Sequence, residues 1–269
     1  MPVVTRKKWK RIAQGFQRRW AFPHCLGSLD GKHIDIVCPA KTGSLYFNWK
    51  KRFSFVLMAC VDADYKFTMI DVGACGSNND AGIFSNCDFG KLLISNKLNT
   101  PEPETLDHCD WRPDVKLPYV FVGDEAFPLR YNLLRPFPGA KKRRLNLKDH
   151  LFNWRLSVAR KVVENAFGIL VQRFRIFHTK IALKPEHAVI AVTTCCMLHN
   201  YLVKDTHIER VVRDRSGNLT LPARMKDLKY MKGNHGSKAA EEVRDHFRSY
   251  FVSPEGELED QIEKSNYYV

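Results

Sequence analysis

Three acidic residues stand at the edges of otherwise apolar stretches of this chain. Asp124 follows the apolar run 119–122, Asp30 ends the short apolar approach 25–29, and Glu164 interrupts the apolar side of a long helical pattern. A polar residue at the carboxyl end of a buried strand lies where α/β sheets place their chemistry. These three acids are therefore the first candidates for a functional site.

Carboxylates held close together repel one another and raise one another's pKa, so a hard divalent cation is their natural neutraliser. Carboxylate oxygens with retained waters suit Mg²⁺ or Mn²⁺ better than zinc. Two such ions about 4 Å apart can activate a water or a 3′-hydroxyl and stabilise the leaving oxygen of a phosphodiester. If Asp30, Asp124 and Glu164 converge, they predict a site for two Mg²⁺ or Mn²⁺ ions.

Each acid taken alone also has a structural interpretation. Glu164 follows Arg160 by four residues and Lys161 by three, a spacing typical of an exposed helical ion pair. Asp124 comes after a strand and Asp30 precedes a glycine, and both contexts are common in turns. Only the convergence of all three favours a site.

The elements that must position the acids follow from the periodicity of the sequence. β-Forming residues with a period of about two predict three consecutive strands, and a further apolar run predicts a fourth. Asp62 and Asp64 fall in the turn between the second and third strands. The predicted strands cover residues 26–37, 53–61, 67–72 and 119–122, and the predicted helices cover residues 80–93, 147–174 and 185–202.

Three strands, a helix, a fourth strand and then helices make an α/β order with a mixed central sheet flanked by helices. That order fits the ribonuclease-H-like fold. In that fold the first strand, the end of the fourth strand and a following helix converge. The fold therefore predicts that Asp30, Asp124 and Glu164 lie together.

The charge of the chain favours a polyanionic partner. The formal net charge is +14 and the pI is about 9.5, which makes nucleic acid the leading candidate and an anionic membrane surface the second. Residues 130–180 contain thirteen Lys and Arg but only two acids. The residues expected to contact DNA phosphates are Lys141, Lys142, Arg143, Arg144, Arg155, Arg160 and Arg173.

The remaining composition indicates a globular protein of a reducing compartment. The eight cysteines form no CxxC pair and are interpreted as buried free thiols. Cys195, Cys196 and His199 lack a second ligand pair at zinc-site spacing and are assigned to a packed helix. No apolar run approaches the roughly 20 residues of a membrane span. The basic cluster 6–11 is either a nuclear localisation signal or solvated surface, so the nucleus is the expected location, with the cytoplasm as the alternative.

Several ordered blocks of this sequence resemble those of the PIF/Harbinger DDE transposases, a family that includes domesticated Harbinger transposase-derived nucleases. The tail 242–251 is also similar to the C-terminal end of that family. The blocks are Phe22-Pro-His-Cys-Leu-Gly-Ser-Leu-Asp-Gly-Lys-His-Ile34, Val72-Gly-Ala-Cys-Gly-Ser-Asn-Asn-Asp80, Val122-Gly-Asp-Glu-Ala-Phe-Pro-Leu129, Arg155-Leu-Ser-Val-Ala-Arg-Lys-Val-Val-Glu-Asn-Ala-Phe-Gly-Ile-Leu170 and Met197-Leu-His-Asn-Tyr-Leu202.

The resemblance implies a ribonuclease-H-like catalytic domain over residues 25–202, with a metal-binding triad on Asp30, Asp124 and Glu164. It also implies metal-dependent DNA cleavage, strand transfer and a Myb-like partner protein that recognises DNA. Residues 1–24 are then a short basic lead-in, and residues 203–269 a polar extension with one amphipathic helix. Family members carry a helix-turn-helix-like region before the block that contains Asp30. Because only about two dozen residues precede it here, the alternative is a catalytically idle remnant that binds DNA or protein. The sequence leaves the oligomeric state open.

Overall fold

The structure, a computed structural model, describes residues 4–77, 80–106, 112–139, 145–203, 226–227 and 236–266. A mixed sheet lies at its centre, with helices packed against it. The strands are β1 (Cys25–Asp35), β2 (Ser54–Val61), β3 (Phe67–Cys75), β4 (Val120–Val122), β5 (Leu133–Leu134) and β6 (Lys226–Asp227). The helices are α1 (Arg6–Trp20), α2 (Asp80–Asn86), α3 (Asp88–Ile94), α4 (Leu147–Arg173), α5 (Pro185–Leu202), α6 (Lys238–Tyr250) and α7 (Gln261–Asn266), with a 3₁₀ turn at Arg175–His178.

The strand order is β3-β2-β1-β4-β5, and β6 pairs with β1 outside this path. Strand β2 runs antiparallel to both β1 and β3, whereas β4 runs parallel to β1 and β5 parallel to β4. β1 is buried along its whole length, as expected of a strand covered on both faces. This topology confirms the predicted mixed α/β sheet of the ribonuclease-H-like fold.

Helix α1 begins where the Thr5 hydroxyl accepts a hydrogen bond from the Lys8 backbone N–H, and it ends at Ala21 in the left-handed region. Its apolar side buries Trp9 and Phe16 completely. The Trp9 indole N–H donates to the Leu98 carbonyl at 3.0 Å, so the ring's one polar atom is satisfied inside the core. The basic side of α1 faces solvent.

Helix α4 is the longest element and has 27 residues, which corresponds to a length of about 40 Å. The Asn146 side chain caps it by accepting the Asp149 backbone N–H at 2.8 Å. The prediction of a helix over residues 147–174 is confirmed to within one residue. Among the described residues, no helix combines the length and apolar character needed to cross a membrane.

Two details of the elements that precede α4 differ from the prediction. The single helix expected over residues 80–93 is two helices, because the chain turns at Cys87, whose sulfur accepts the Gly90 N–H at 3.2 Å. A side chain at Gly90 would collide with the Phe84 carbonyl oxygen, so glycine permits the turn. Strand β5 was not predicted, since its two residues are too short to show a period.

The C-terminal helices complete the core on the outer side of α4. Phe251 packs on Phe22 with ring centroids 5.1 Å apart. An Arg248 guanidinium nitrogen lies 2.7 Å from a carboxylate oxygen of the fully buried Asp149. Helix α6 therefore adheres to the start of α4 through both apolar and charged contacts.

The structure contradicts the prediction that Arg155 contacts DNA. Arg155 is only 3% exposed, and its guanidinium donates to the Ala21 carbonyl and, at 3.1 Å, to the Gly256 carbonyl. The guanidinium also lies 4.3 Å from the centroid of the Phe251 ring. Burial lowers the pKa of Arg155 to about 10, which still leaves it charged at neutral pH. The prediction was wrong because it rested on the basic composition of this stretch, whereas the Arg155 side chain points from α4 into the core.

We expect Arg155→Met to lower the free energy of unfolding by about 3 kcal/mol, because the Ala21 and Gly256 carbonyls lose a charged donor. Urea denaturation measures the change. The matched control is Arg11→Met at an exposed position of α1, which should change stability by less than about 0.5 kcal/mol. A loss of DNA affinity in Arg155→Met without any loss of stability would restore the original assignment.

His199 links α5 to the turn between β2 and β3 and titrates abnormally. Its Nε2 lies 2.8 Å from the Tyr65 carbonyl oxygen, so Nε2 is the protonated nitrogen. Burial lowers the pKa of His199 to about 4, so the folded protein keeps the ring neutral. Below pH 6.5 the imidazole takes up a proton in the unfolded chain but not in the folded protein. The free energy of unfolding therefore decreases as the pH is lowered.

We expect His199→Gln to make the stability of the protein less sensitive to acid, since a Gln amide can donate to the Tyr65 carbonyl without titrating. Between pH 7 and pH 4.5 the wild type should lose about 2 to 3 kcal/mol more than the variant, measured by urea unfolding at each pH. The pKa of Asp62 is raised to about 6 by burial and opposes this trend, but equally in both proteins. Identical pH dependence of the two proteins would refute the assignment of His199.

Candidate metal centre

Asp30 lies in the middle of β1, 3% exposed. Across the antiparallel pair its register partner is Ala59 of β2. Its Oδ1 accepts the Gly31 backbone N–H at 2.8 Å. Its Oδ2 lies 2.9 Å from the Nζ of Lys32, but the two atoms are not aligned as a hydrogen bond, and Oδ2 accepts none within the described structure.

Asp124 comes two residues after Val122, the last residue of β4. The Gly123 N–H still donates to the Leu134 carbonyl at 2.9 Å, so pairing with β5 ends immediately before Asp124. Its Oδ1 accepts the Ala126 N–H at 2.9 Å, which confirms a turn role after the strand.

The parallel register between β1 and β4 relates the two aspartates. Ser28 is the partner of Val122, and Asp30 and Asp124 each come two residues later. Extending the register puts them at neighbouring positions on strands that are about 4.8 Å apart in a regular sheet. Asp30 and Asp124 thus each follow the last paired residues of β1 and β4 by two positions.

Helix α4 crosses the same face of β1. The Ser28 hydroxyl donates to the Arg160 carbonyl at 3.2 Å, and the Lys32 Nζ lies 5.8 Å from the centroid of the Phe167 ring. Asp30 shares this face with Ser28 and Lys32, because alternate residues of a strand point the same way. It therefore faces the part of α4 between Arg160 and Phe167, where Glu164 lies.

The Glu164 side chain is 38% exposed, and an Arg160 guanidinium nitrogen lies 3.5 Å from its Oε1. The helical ion pair anticipated as its structural interpretation is therefore present. Such half-exposed pairs contribute less than about 1 kcal/mol, so the contact does not hold Glu164 strongly. Within the described residues, no three His, Cys, Asp or Glu side chains are grouped closely enough to bind one metal ion.

The other acids have structural roles. An Arg52 guanidinium nitrogen lies 2.6 Å from Asp35 Oδ2. Asp62 accepts the backbone N–H groups of Asp64 and Lys66 at 2.9 and 3.0 Å and so shapes the turn between β2 and β3. The contacts of Asp62 agree with its predicted place in the turn between these two strands.

Lys32 is the residue of the site that the sequence analysis missed. Its side chain is 1% exposed although lysine almost never buries its ammonium group. The signal was present, since Lys32 stands two residues after Asp30 on a predicted strand and must share its face.

The predicted phosphate contacts divide into three groups. Arg160 and Arg173 are partly exposed on α4, and Arg155 is buried as described above. Lys141, Lys142, Arg143 and Arg144 lie outside the described residues. The Arg160 side chain contacts Glu164, and Arg173 is the last residue of α4.

A family model described as DDE superfamily endonuclease matches residues 29–200 of the chain. The chain belongs to this family. The DDE superfamily match spans β1 to α5 and includes all three candidate acids, which confirms the resemblance to DDE transposases.

Two curated relatives of this DDE superfamily chain come from Arabidopsis thaliana. Protein ALP1-like is 30% identical over 199 residues, which cover 73% of this chain and 47% of that protein. The protein named antagonist of like heterochromatin protein 1 is 24% identical over 203 residues, or 72% of this chain and 48% of that protein. The chain thus spans about half the length of these relatives. No solved structure matches it significantly.

Gly123 shapes the turn that carries Asp124. A Cβ at this position would lie 2.8 Å from the Phe127 ring, which packs on Phe84 with centroids 5.3 Å apart. We expect Gly123→Ala to lower the free energy of unfolding by about 1 to 3 kcal/mol through overpacking. The control is Gly139→Ala, where nothing lies within 4 Å of the added methyl group. Equal stability of the two variants in urea denaturation would exclude this tight packing.

Proposed function

We propose that this protein is a divalent-metal-dependent DNA endonuclease derived from a transposase, with Asp30, Asp124 and Glu164 as its metal ligands. The observation that supports it is the register of β1 with β4 and the crossing of β1 by α4 in a DDE superfamily chain. Because the chain spans about half of its relatives, the activity proposed is that of this region.

The chemistry of the site fits a hard divalent ion. Asp30 offers a buried Oδ2 that accepts no hydrogen bond in the described structure, and Asp124 and Glu164 add carboxylate oxygens, which Mg²⁺ and Mn²⁺ prefer. Two bound ions would activate the attacking water or 3′-hydroxyl and stabilise the leaving oxygen of the phosphodiester. In this proposal Asp30 and Asp124 hold the ions from the sheet, and Glu164 turns from Arg160 to complete the set from the helix.

The basic residues around Glu164 would hold the DNA backbone. Arg160 and Lys161 are partly exposed beside it, and Arg173 lies at the end of the same helix. Lys141, Lys142, Arg143 and Arg144 remain proposed phosphate contacts. Affinity built on such contacts falls steeply as salt rises, because each neutralised phosphate releases counterions.

The test is nicking of supercoiled plasmid with Mg²⁺, Mn²⁺ or EDTA. Asp124→Asn and Glu164→Gln should each reduce metal-dependent nicking by at least about 100-fold, more than the loss of an outer-shell partner does. DNA affinity should be unchanged or slightly higher, because a negative charge is removed. The matched control, Asp114→Asn at an exposed position, should nick like the wild type.

Full nicking by Asp124→Asn would refute the ligand assignment. No nicking by any form, with salt-sensitive DNA binding retained, would favour the second candidate function, a catalytically idle DNA- or protein-binding remnant. Two observations favour that candidate: the Lys32 ammonium pairs with Asp30, and one relative is named as an antagonist of like heterochromatin protein 1.

The setting of the activity is also part of the proposal. A nuclear location follows from a DNA substrate and the basic segment 6–11, and a Myb-like protein would supply sequence recognition. Strand transfer after cleavage and assembly into an oligomer are properties of transposases and complete the proposal. Fractionation of cells that express the tagged protein tests the nuclear location, and copurification tests the Myb-like partner.

A further inference from the structure

The Lys32 ammonium lies in the candidate metal centre itself. Its Nζ is 2.9 Å from Asp30 Oδ2, and both side chains are almost completely buried. The centroid of the Phe167 ring lies 5.8 Å from the same Nζ, within the range of a cation–π contact. A positive charge therefore already stands beside the carboxylate proposed to bind a divalent ion.

A purely structural role would be an expensive arrangement. Removing two charges from water often costs more than their attraction returns, and apolar residues of similar volume commonly serve as well. The opposite neighbours on β2 are apolar, with Leu57 facing Lys32 and Ala59 facing Asp30. The pair also leaves Asp30 Oδ2 without a hydrogen bond in the described structure, so it is not an optimised structural ion pair.

We propose that Lys32 is a positioning residue of the metal centre, which orients the Asp30 carboxylate without an ion and competes with the divalent cation for Oδ2. The proposal rests on the proposed function above. An ion that binds Asp30 must either displace the ammonium or share the carboxylate with it. Both raise the concentration of ion that the site requires, because like charges repel at short distance in a low-dielectric environment.

Lys32, which is not a metal ligand, would thus set the ion concentration at which the site fills. Lys32 is long and flexible, so its ammonium can leave Oδ2 while its backbone stays paired with Leu57 of β2. When the ammonium leaves, Asp30 offers the ion an oxygen that no hydrogen bond holds. The same lysine then remains near the reacting phosphate as a cation.

The experiment is titration of the purified protein with Mn²⁺, with free Mn²⁺ measured by electron paramagnetic resonance. Lys32→Met keeps the unbranched apolar stem and removes the charge, and it should bind Mn²⁺ at least tenfold more tightly than the wild type. Lys32→Arg keeps the charge and should bind like the wild type. Lys32→Gln serves as a second neutral variant if Lys32→Met does not fold.

The double variant Lys32→Met with Asp124→Asn separates the two proposals. Tighter binding that the second substitution abolishes supports the role of Lys32 at this site, even if the wild type itself binds no Mn²⁺. Equal affinity of wild type and both neutral variants, lost with Asp124→Asn, overturns the Lys32 proposal and leaves the metal site standing. No binding by any form, or binding that Asp124→Asn does not affect, overturns both.

Discussion

Parallel pairing of β1 with β4 is the constraint on which the site depends. Parallel strands cannot be joined by a tight turn and need a crossover connection, which this chain supplies through β2, β3, α2 and α3. Because both strands then run in one direction, β4 ends level with the middle of β1, where Ser28 pairs with Val122. Asp30 and Asp124, far apart in the sequence, each come two residues after that pair.

Helix α4 serves two functions that require different surfaces. One side is buried in the core and contacts β1, where Ser28 donates to the Arg160 carbonyl. The other positions are partly exposed and include Arg160 and Glu164. A residue at the border of the two surfaces can be fixed by the packed side and still reach the site, which is the position that Glu164 occupies.

The buried charges of the protein differ in how completely they are satisfied. Arg155 has carbonyl acceptors from two distant segments and an aromatic ring beneath it, so it joins α4 to the C-terminal helices. The pair of Asp30 and Lys32 instead contains an oxygen without a hydrogen bond. The contacts of Arg155 give it a structural role, whereas the unsatisfied Asp30 oxygen is the one that the proposed divalent ion would satisfy.

The sequence by itself determined the elements and the three acids, because period, caps and apolar runs are local properties. Helices α4 and α5 and the first four strands followed from them to within a few residues. The order of strands and helices along the chain indicated the fold. Only the tertiary structure decided which side chains are buried and which are exposed where the two sides of a helix or strand meet. Arg155 turns into the core and Lys32 lies against Asp30, because burial depends on what packs across the strand or helix, and that information is not local.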